Sequence, residues 1–274
     1  MVRKVHQIVF PSPSEVRIDD VVVDEPAAPQ LLVEASRTLI SAGTEQNLLE
    51  GDYRAANLRE APDALRPGYS WVGRGATAGA DVPGFSIGDR VVAGLPHVGA
   101  GLIPPQVRPM TRLEVPERVP ESVSDEAATF VSLADVSLHA VRRAEPYIGD
   151  AVAVWGAGVV GQLIVQFARM AGAHPIVVVD LDNDRLQIAK TSGATHTVNA
   201  SEDDAVAAVR AATNGNGARV VFMATRTPRV LPDCMRAADN GGTIAITGSA
   251  PGPVELETQV DLLRRELTIF GTYQ

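Results

Sequence analysis

One stretch constrains the fold of this chain more than any other: "AVAVWGAGVVGQLIVQFARMAGA", residues 151–173. Its first residues read as a short apolar strand. Gly156, Gly158 and Gly161 then form G-x-G-x-x-G, and a helix follows with apolar residues at 160, 163, 164, 167 and 171. Each glycine has a mechanical reason: a tight turn, close approach of a pyrophosphate to the backbone, and close packing of helix on strand. The helix start presents the N–H groups of Val159, Val160 and Gly161, together with the positive end of its dipole, to an anion.

Alone, a glycine triplet is a weak signal. Here the next strand, "PIVVVD", ends in Asp180, 19 residues after Gly161. A carboxylate at that strand end can accept hydrogen bonds from an adenosine ribose and would repel a 2′-phosphate. The order strand, glycines, helix, strand, acid predicts a dinucleotide site that favours NAD(H), with NADP(H) left open. The competing reading is an ordinary βα turn with a surface Asp. Arg185 can stack on adenine or reach a phosphate, or it can pair with a nearby aspartate on the helix surface. Asp182 adds negative charge where a 2′-phosphate would need positive. At the ends of later strands, Thr225, Thr247 and Gly248 are expected to line the same crevice, because ligands in such folds sit outside the carboxyl ends of the strands.

The rest of the chain divides around this motif. Residues 1–123 hold short β-branched runs ("HQIVF", "VRIDDVVV", "LLVEASRTLI", "DRVVAGL", "TRLEVP") between turn signals, which predicts a mostly-β domain. Residues 145–274 alternate short apolar runs with segments of helical period, which predicts an α/β domain built on a parallel sheet. Between them, residues 124–144 read as one connecting helix: Ser124 can cap it, and Arg142 and Arg143 close its last turn.

Composition removes several function classes. The net charge is −9 and basic residues form no block longer than a pair, which argues against nucleic acid. No run reaches the roughly 18 apolar residues of a membrane span, and the N-terminal apolar run is too short for a signal peptide, so a cytoplasmic protein is expected. The single cysteine, Cys234, cannot make an internal disulfide or a Cys-rich metal site. It lies in "RVLPDCMRAA", where a buried structural thiol is the expected role rather than a nucleophile.

The pieces "LISAGTEQN", "RPGYSWVGRG", "GFSIGDRVV", "DEAATFVSLADVSLHAVRRA" and the glycine-rich segment, in this order, resemble a medium-chain dehydrogenase/reductase, the superfamily of zinc alcohol and polyol dehydrogenases. The resemblance runs nearly end to end. It implies a GroES-like N-terminal domain, a doubly wound Rossmann domain, and hydride transfer between a nicotinamide and a carbonyl, alcohol or activated alkene in a cleft between the two. It also implies a homodimer, with Rossmann sheets paired near the segment aligned with "PVELET", residues 253–258.

Departures from the pattern are equally informative. Zinc members place Cys before a Gly-Thr-acid step, and here Ala42 precedes Gly43, Thr44 and Glu45. They place His-Glu after the Pro-Gly turn, and here Tyr69-Ser70 follows Pro67-Gly68. The third ligand position aligns with Ser132. None of the three is a competent zinc ligand, so no zinc is expected. The resemblance then leaves Thr44 as the proton-relaying hydroxyl and Tyr69 as a donor to a developing oxyanion, unless Tyr69 only fills the vacated space. His97, in a loop expected to face the cleft, and Asp135, placed near the nicotinamide, complete the candidate catalytic set. Family members also continue past "LTIFGTY", so the fold is expected to be abridged or completed by a partner.

The expected function is therefore a zinc-independent, NAD(H)-dependent oxidoreductase acting on a small organic, biosynthetic substrate. Two alternatives stay open: an enzyme using bound NAD for a step without net redox change (epimerisation, elimination or cyclisation), and a dinucleotide-binding module without turnover.

Overall fold

The computed structural model describes residues 3–52, 64–103 and 116–273. These form two compact units, one running to Ser132 and one spanning Leu133–Tyr273.

In the first unit, strands β1 (Arg3–Val9) and β2 (Arg17–Val23) pair as an antiparallel ribbon. There follow β3 (Leu31–Thr38), helix α1 (Ala42–Leu49), β4 (Trp71–Ala78), β5 (Arg90–Ala93), β6 (Ala100–Ile103) and β7 (Glu117–Arg118). The last five strands form an antiparallel sheet in the order β6-β3-β4-β5-β7. Its core gathers Leu31, Val33, Trp71, Val91, Ala93 and Ile103 on one face. The Trp71 indole N–H, buried with its ring, donates to the Val98 carbonyl at 2.8 Å, so the large side chain leaves no polar atom unsatisfied. Helix α2 (Asp125–Ala128) starts at Ser124, whose hydroxyl accepts from the Ala127 N–H. Asp125 ties it to the sheet, accepting from the Ser36 hydroxyl at 2.5 Å and from Arg90 at 2.8 Å. These two donors, Ser36 foremost, hold its carboxyl below the ordinary range.

The second unit takes in α3 (Val131–Ala144) from Leu133 onward and continues β8 (Val152–Trp155), α4 (Val159–Met170), β9 (Ile176–Asp180), α5 (Asn183–Ser192), β10 (His196–Asn199), α6 (Ala205–Ala212), β11 (Ala218–Met223), α7 (Leu231–Ala237), β12 (Ala238–Ile246) and β13 (Thr268–Gly271). All its strands are parallel, in the order β10-β9-β8-β11-β12-β13. Along β8, Val152 and Val154 enter one core with Ala140, Ile164 and Leu186, while Ala153 and Trp155 enter another with Val209, Cys234 and Met235. A strand buried on both faces must be apolar at every position, which is why these strands read as unbroken hydrophobic runs. The expected doubly wound α/β unit and the expected β-rich unit are both present.

Two details differ from the sequence reading, and one prediction falls outside the described residues. The segment 124–144 is two helices, α2 and α3, interrupted at Thr129 and Phe130, where the Thr129 hydroxyl donates back to the Glu126 carbonyl at 2.7 Å. Strands β4 and β6 were not foreseen. The run "TRLEVP" lies, apart from its last residue, outside the described residues.

Candidate functional site

The glycine-rich turn joins β8 to α4, and its three glycines are needed for different reasons. Gly156 has φ +100°, and a Cβ there would stand 2.6 Å from the Ala224 carbonyl oxygen. A Cβ on Gly161 would lie 1.9 Å from the Gly156 carbonyl oxygen, so the helix could not sit so close to the turn. Gly158 is the exception. Its φ of −71° suits any residue, and a Cβ there would meet nothing within 4 Å. Protein packing does not require a glycine at this position. The open space leaves the backbone accessible to an incoming group.

Gly158 is also the N-cap of α4 and contributes no side-chain bond, and no acidic residue occupies the helix's first turn. Val159, Val160 and Gly161 occupy that first turn, where N–H groups lack an intrahelical acceptor and suit an anion. The cradle therefore fits a dinucleotide pyrophosphate.

Asp180 ends β9 beside this turn. One carboxylate oxygen accepts from the Ala157 N–H at 2.6 Å; the other accepts from the N–H groups of Leu181 at 2.8 Å and Asp182 at 3.0 Å. Each oxygen has two lone pairs, so the first retains an acceptor site for a hydroxyl. Asp182 caps α5, accepting from the N–H groups of Asp184 and Arg185. Arg185 lies 3.6 Å from Asp182 in an exposed pair worth little energetically.

Thr225, Thr247 and Gly248 do come together at the ends of β11 and β12. Thr247 donates through its hydroxyl to the Met223 carbonyl at 3.1 Å, and a Cβ on Gly248 would fall 2.2 Å from the Thr225 carbonyl oxygen. Thr225 turns its hydroxyl to the Thr227 carbonyl at 3.0 Å. Because Ala224 also backs onto Gly156, the carboxyl ends of β8, β11 and β12 converge on the turn.

A second cluster lies in the first unit. Gly68, at φ +108°, backs onto His97 so closely that a Cβ would be 2.6 Å from its backbone nitrogen. That contact fixes the Pro67-Gly68 turn and aims Tyr69, whose phenol donates to the Ser41 hydroxyl. Ser132 donates to the Tyr69 carbonyl at 3.3 Å. Glu45 holds the cluster from behind: one oxygen accepts from the Ser41 N–H at 2.8 Å, and the other lies 2.9 Å from His97 Nε2. Glu45 and His97 side chains are only 6% and 4% exposed. The His97 ring is buried and engaged by Glu45 rather than open to solvent. Thr44 is half-buried on α1, and Asp135 is half-buried on α3 in the second unit. Ser70 is buried, and its hydroxyl has no hydrogen-bond partner among the described residues.

The positions equated with zinc ligands thus hold a methyl group, a phenol and a hydroxyl, a donor set that does not suit Zn²⁺. Among the described residues, no three His, Cys, Asp or Glu side chains are grouped so as to hold a metal.

Sequence reasoning missed Ser41, Glu45 and Gln162. Only Glu45 left a local trace, an acid four residues after a Ser that can cap a helix. Cys234 is fully buried in α7, and burial pushes its thiol well up from the ordinary value. A thiol reagent such as a disulfide dye is expected to leave it unmodified in the native protein and to modify it stoichiometrically in denaturant. Rapid native labelling would contradict this burial. No helix among the described residues is long and apolar enough to cross a membrane.

Comparison with known proteins gives three findings. Residues 159–274 match the zinc-binding dehydrogenase family. A sorbitol dehydrogenase of Bacillus subtilis (strain 168) is 33% identical over 157 residues, which is 57% of this chain but only 44% of the relative. Among solved structures, a Sinorhizobium meliloti 1021 protein described as a zinc-binding dehydrogenase bound to NADP superposes with a TM-score of 0.84 at 24% identity, covering 99% of this chain and 84% of that one. An Escherichia coli CFT073 alcohol dehydrogenase complexed with NADH gives 0.81 at 20%, covering 98% and 83%. At these identities the structural likeness bears on the fold.

Proposed function

We propose that the chain, whose residues 159–274 match the zinc-binding dehydrogenase family, is a zinc-independent oxidoreductase of the medium-chain dehydrogenase/reductase type, moving a hydride between NAD(H) and a small organic, biosynthetic substrate. Gly158 carries the reading of the cofactor site, because no protein contact and no positive φ requires a glycine there, and its bare backbone leaves room for a ligand at the start of α4. Structural neighbours are described with NADP and with NADH, which supports a nicotinamide without choosing between the two. The choice of NAD rests on Asp180 and Asp182, which set negative charge where a 2′-phosphate would lie.

When bound, the nicotinamide supplies the hydride chemistry. The chain's part is to hold the pyrophosphate at the start of α4, accept ribose hydroxyls at Asp180, and offer a proton donor to the substrate oxygen. Thr44 and Tyr69 fill that last role in this reading, Tyr69 by turning its single O–H from Ser41 to the substrate. With zinc ligands replaced by Ala42, Tyr69 and Ser132, hydrogen bonding takes over the polarising task of a Lewis acid. A homodimer through an edge of the parallel sheet completes the proposal; β10 and β13 are its edges.

The test is a calorimetric titration of purified, chelator-treated protein with NADH and NADPH at equal salt. NADH is expected to bind at least tenfold more tightly, about 1.4 kcal/mol. Equal or tighter NADPH binding would overturn the cofactor choice. Binding of neither would overturn the site.

A further inference from the structure

The residue between the first two glycines, Ala157, is buried, and both of its backbone polar atoms are held by side chains. Its N–H donates to Asp180 at 2.6 Å, and its carbonyl accepts from Gln162 Nε2 at 3.1 Å. The same Gln162 nitrogen donates to the Arg185 carbonyl on α5 at 2.9 Å. One amide group therefore bridges the phosphate-facing turn and the helix that follows the ribose-facing acid.

We propose that Gln162 is a positioning residue for the dinucleotide, fixing the turn and α5 in one arrangement before the ligand arrives; this rests on the nicotinamide site proposed above. Two observations carry it beyond a generic packing role. First, Ala157 is flanked by Gly156 and Gly158, the residues with the widest conformational freedom, so the turn between them would have much entropy to lose on binding. Clamping N–H and C=O of the one intervening residue removes most of that freedom in advance. Second, the Gln162 Oε1 atom is buried and has no hydrogen-bond partner among the described residues. An unbranched apolar side chain would fill the same space without burying an unsatisfied oxygen. What glutamine adds is its pair of donors, and both are spent on the turn and its neighbour.

The experiment compares the full-length protein with Gln162→Met by NADH fluorescence titration and thermal unfolding. Methionine keeps length and helix propensity and removes the donors. The dissociation constant is expected to rise roughly five- to twentyfold through lost preorganisation. The melting temperature is expected to stay within about 3 °C, since removal of an unsatisfied oxygen offsets the carbonyls of Ala157 and Arg185 left without the amide. An NADH affinity within twofold of the parent overturns the proposal, and a lower melting temperature with unchanged affinity marks a merely structural role and overturns it as well. Hydrogen exchange on the unsubstituted protein gives a readout independent of the variant's folding. The Ala157 amide is expected to be protected before NADH is added, and exchange at the rate of an unstructured peptide overturns the proposal. If the parent binds neither NADH nor NADPH, the cofactor reading itself has failed, which shows without any variant.

Discussion

Gly158→Ala is expected to leave the protein folded and to weaken NADH binding by roughly ten- to a hundredfold, about 1.4–3 kcal/mol. Gly161→Ala, three residues on, is expected to destabilise the second unit by about 3 kcal/mol or more. The two substitutions add the same methyl group to the same turn, so the contrast comes from what each methyl meets. At 158 the backbone is extended (φ −71°, ψ −175°) and the methyl has no protein atom within 4 Å, so folding loses only the small N-cap advantage of glycine over alanine. A pyrophosphate seated on the backbone would collide with it. At 161 the methyl would lie 1.9 Å from the Gly156 carbonyl oxygen, and the backbone must part before any ligand is involved. Thermal unfolding and NADH titration on both variants check this. A Gly158→Ala protein that binds NADH as the parent does would remove the main support for the cofactor site.

The same contrast explains which parts of the molecule were legible in the sequence. The parallel sheet announced itself because strands such as β8 and β9 are covered on both faces and must be apolar throughout. Strand β4 was hidden because it contains Gly73 and Gly75, residues that read as turn signals. In the structure they mark close approach: a Cβ on Gly73 would stand 2.3 Å from the Glu34 carbonyl oxygen, and one on Gly75 would stand 2.8 Å from that of Ser86. The break between α2 and α3 left no mark either, since no glycine or proline interrupts residues 124–144. His97 gave no sign of its burial, for a different reason. Its partner Glu45 is 52 residues away, and no local pattern encodes burial produced by a distant residue. Gln162 was invisible likewise, because a glutamine on an amphipathic helix is ordinarily a solvated side chain.

Glu45→Ala is expected to destabilise the first unit by about 3 kcal/mol, whereas Tyr69→Phe, a few ångströms of network away, is expected to cost about 1 kcal/mol. Alanine at 45 leaves two buried groups, the Ser41 N–H and the His97 ring nitrogen, without the oxygens that now face them at 2.8 and 2.9 Å. Neither can turn to water, because both side chains of the Glu45–His97 pair are almost wholly enclosed. Tyr69→Phe removes one hydroxyl from a half-buried position and leaves the Ser41 hydroxyl, itself a donor and acceptor that can rotate, short of one partner rather than two. Glu45→Gln separates shape from chemistry. Its carbonyl oxygen can keep the Ser41 N–H, and its amide can donate to a neutral His97 nitrogen, so roughly half of the loss should return. Urea unfolding of the three variants, read at equal m-values, makes the comparison. An alanine variant within about 1 kcal/mol of the parent would show that the pair is not what holds the cluster. The expected order has a consequence for the zinc-independent reading. Segments that a metal would cross-link are joined here by hydrogen bonds: Tyr69 to Ser41, Ser132 to Tyr69, and both Ser41 and His97 to Glu45. If Glu45 carries most of that stability, the phenol of Tyr69 is held in place by the fold alone, as a donor acting without a Lewis acid must be.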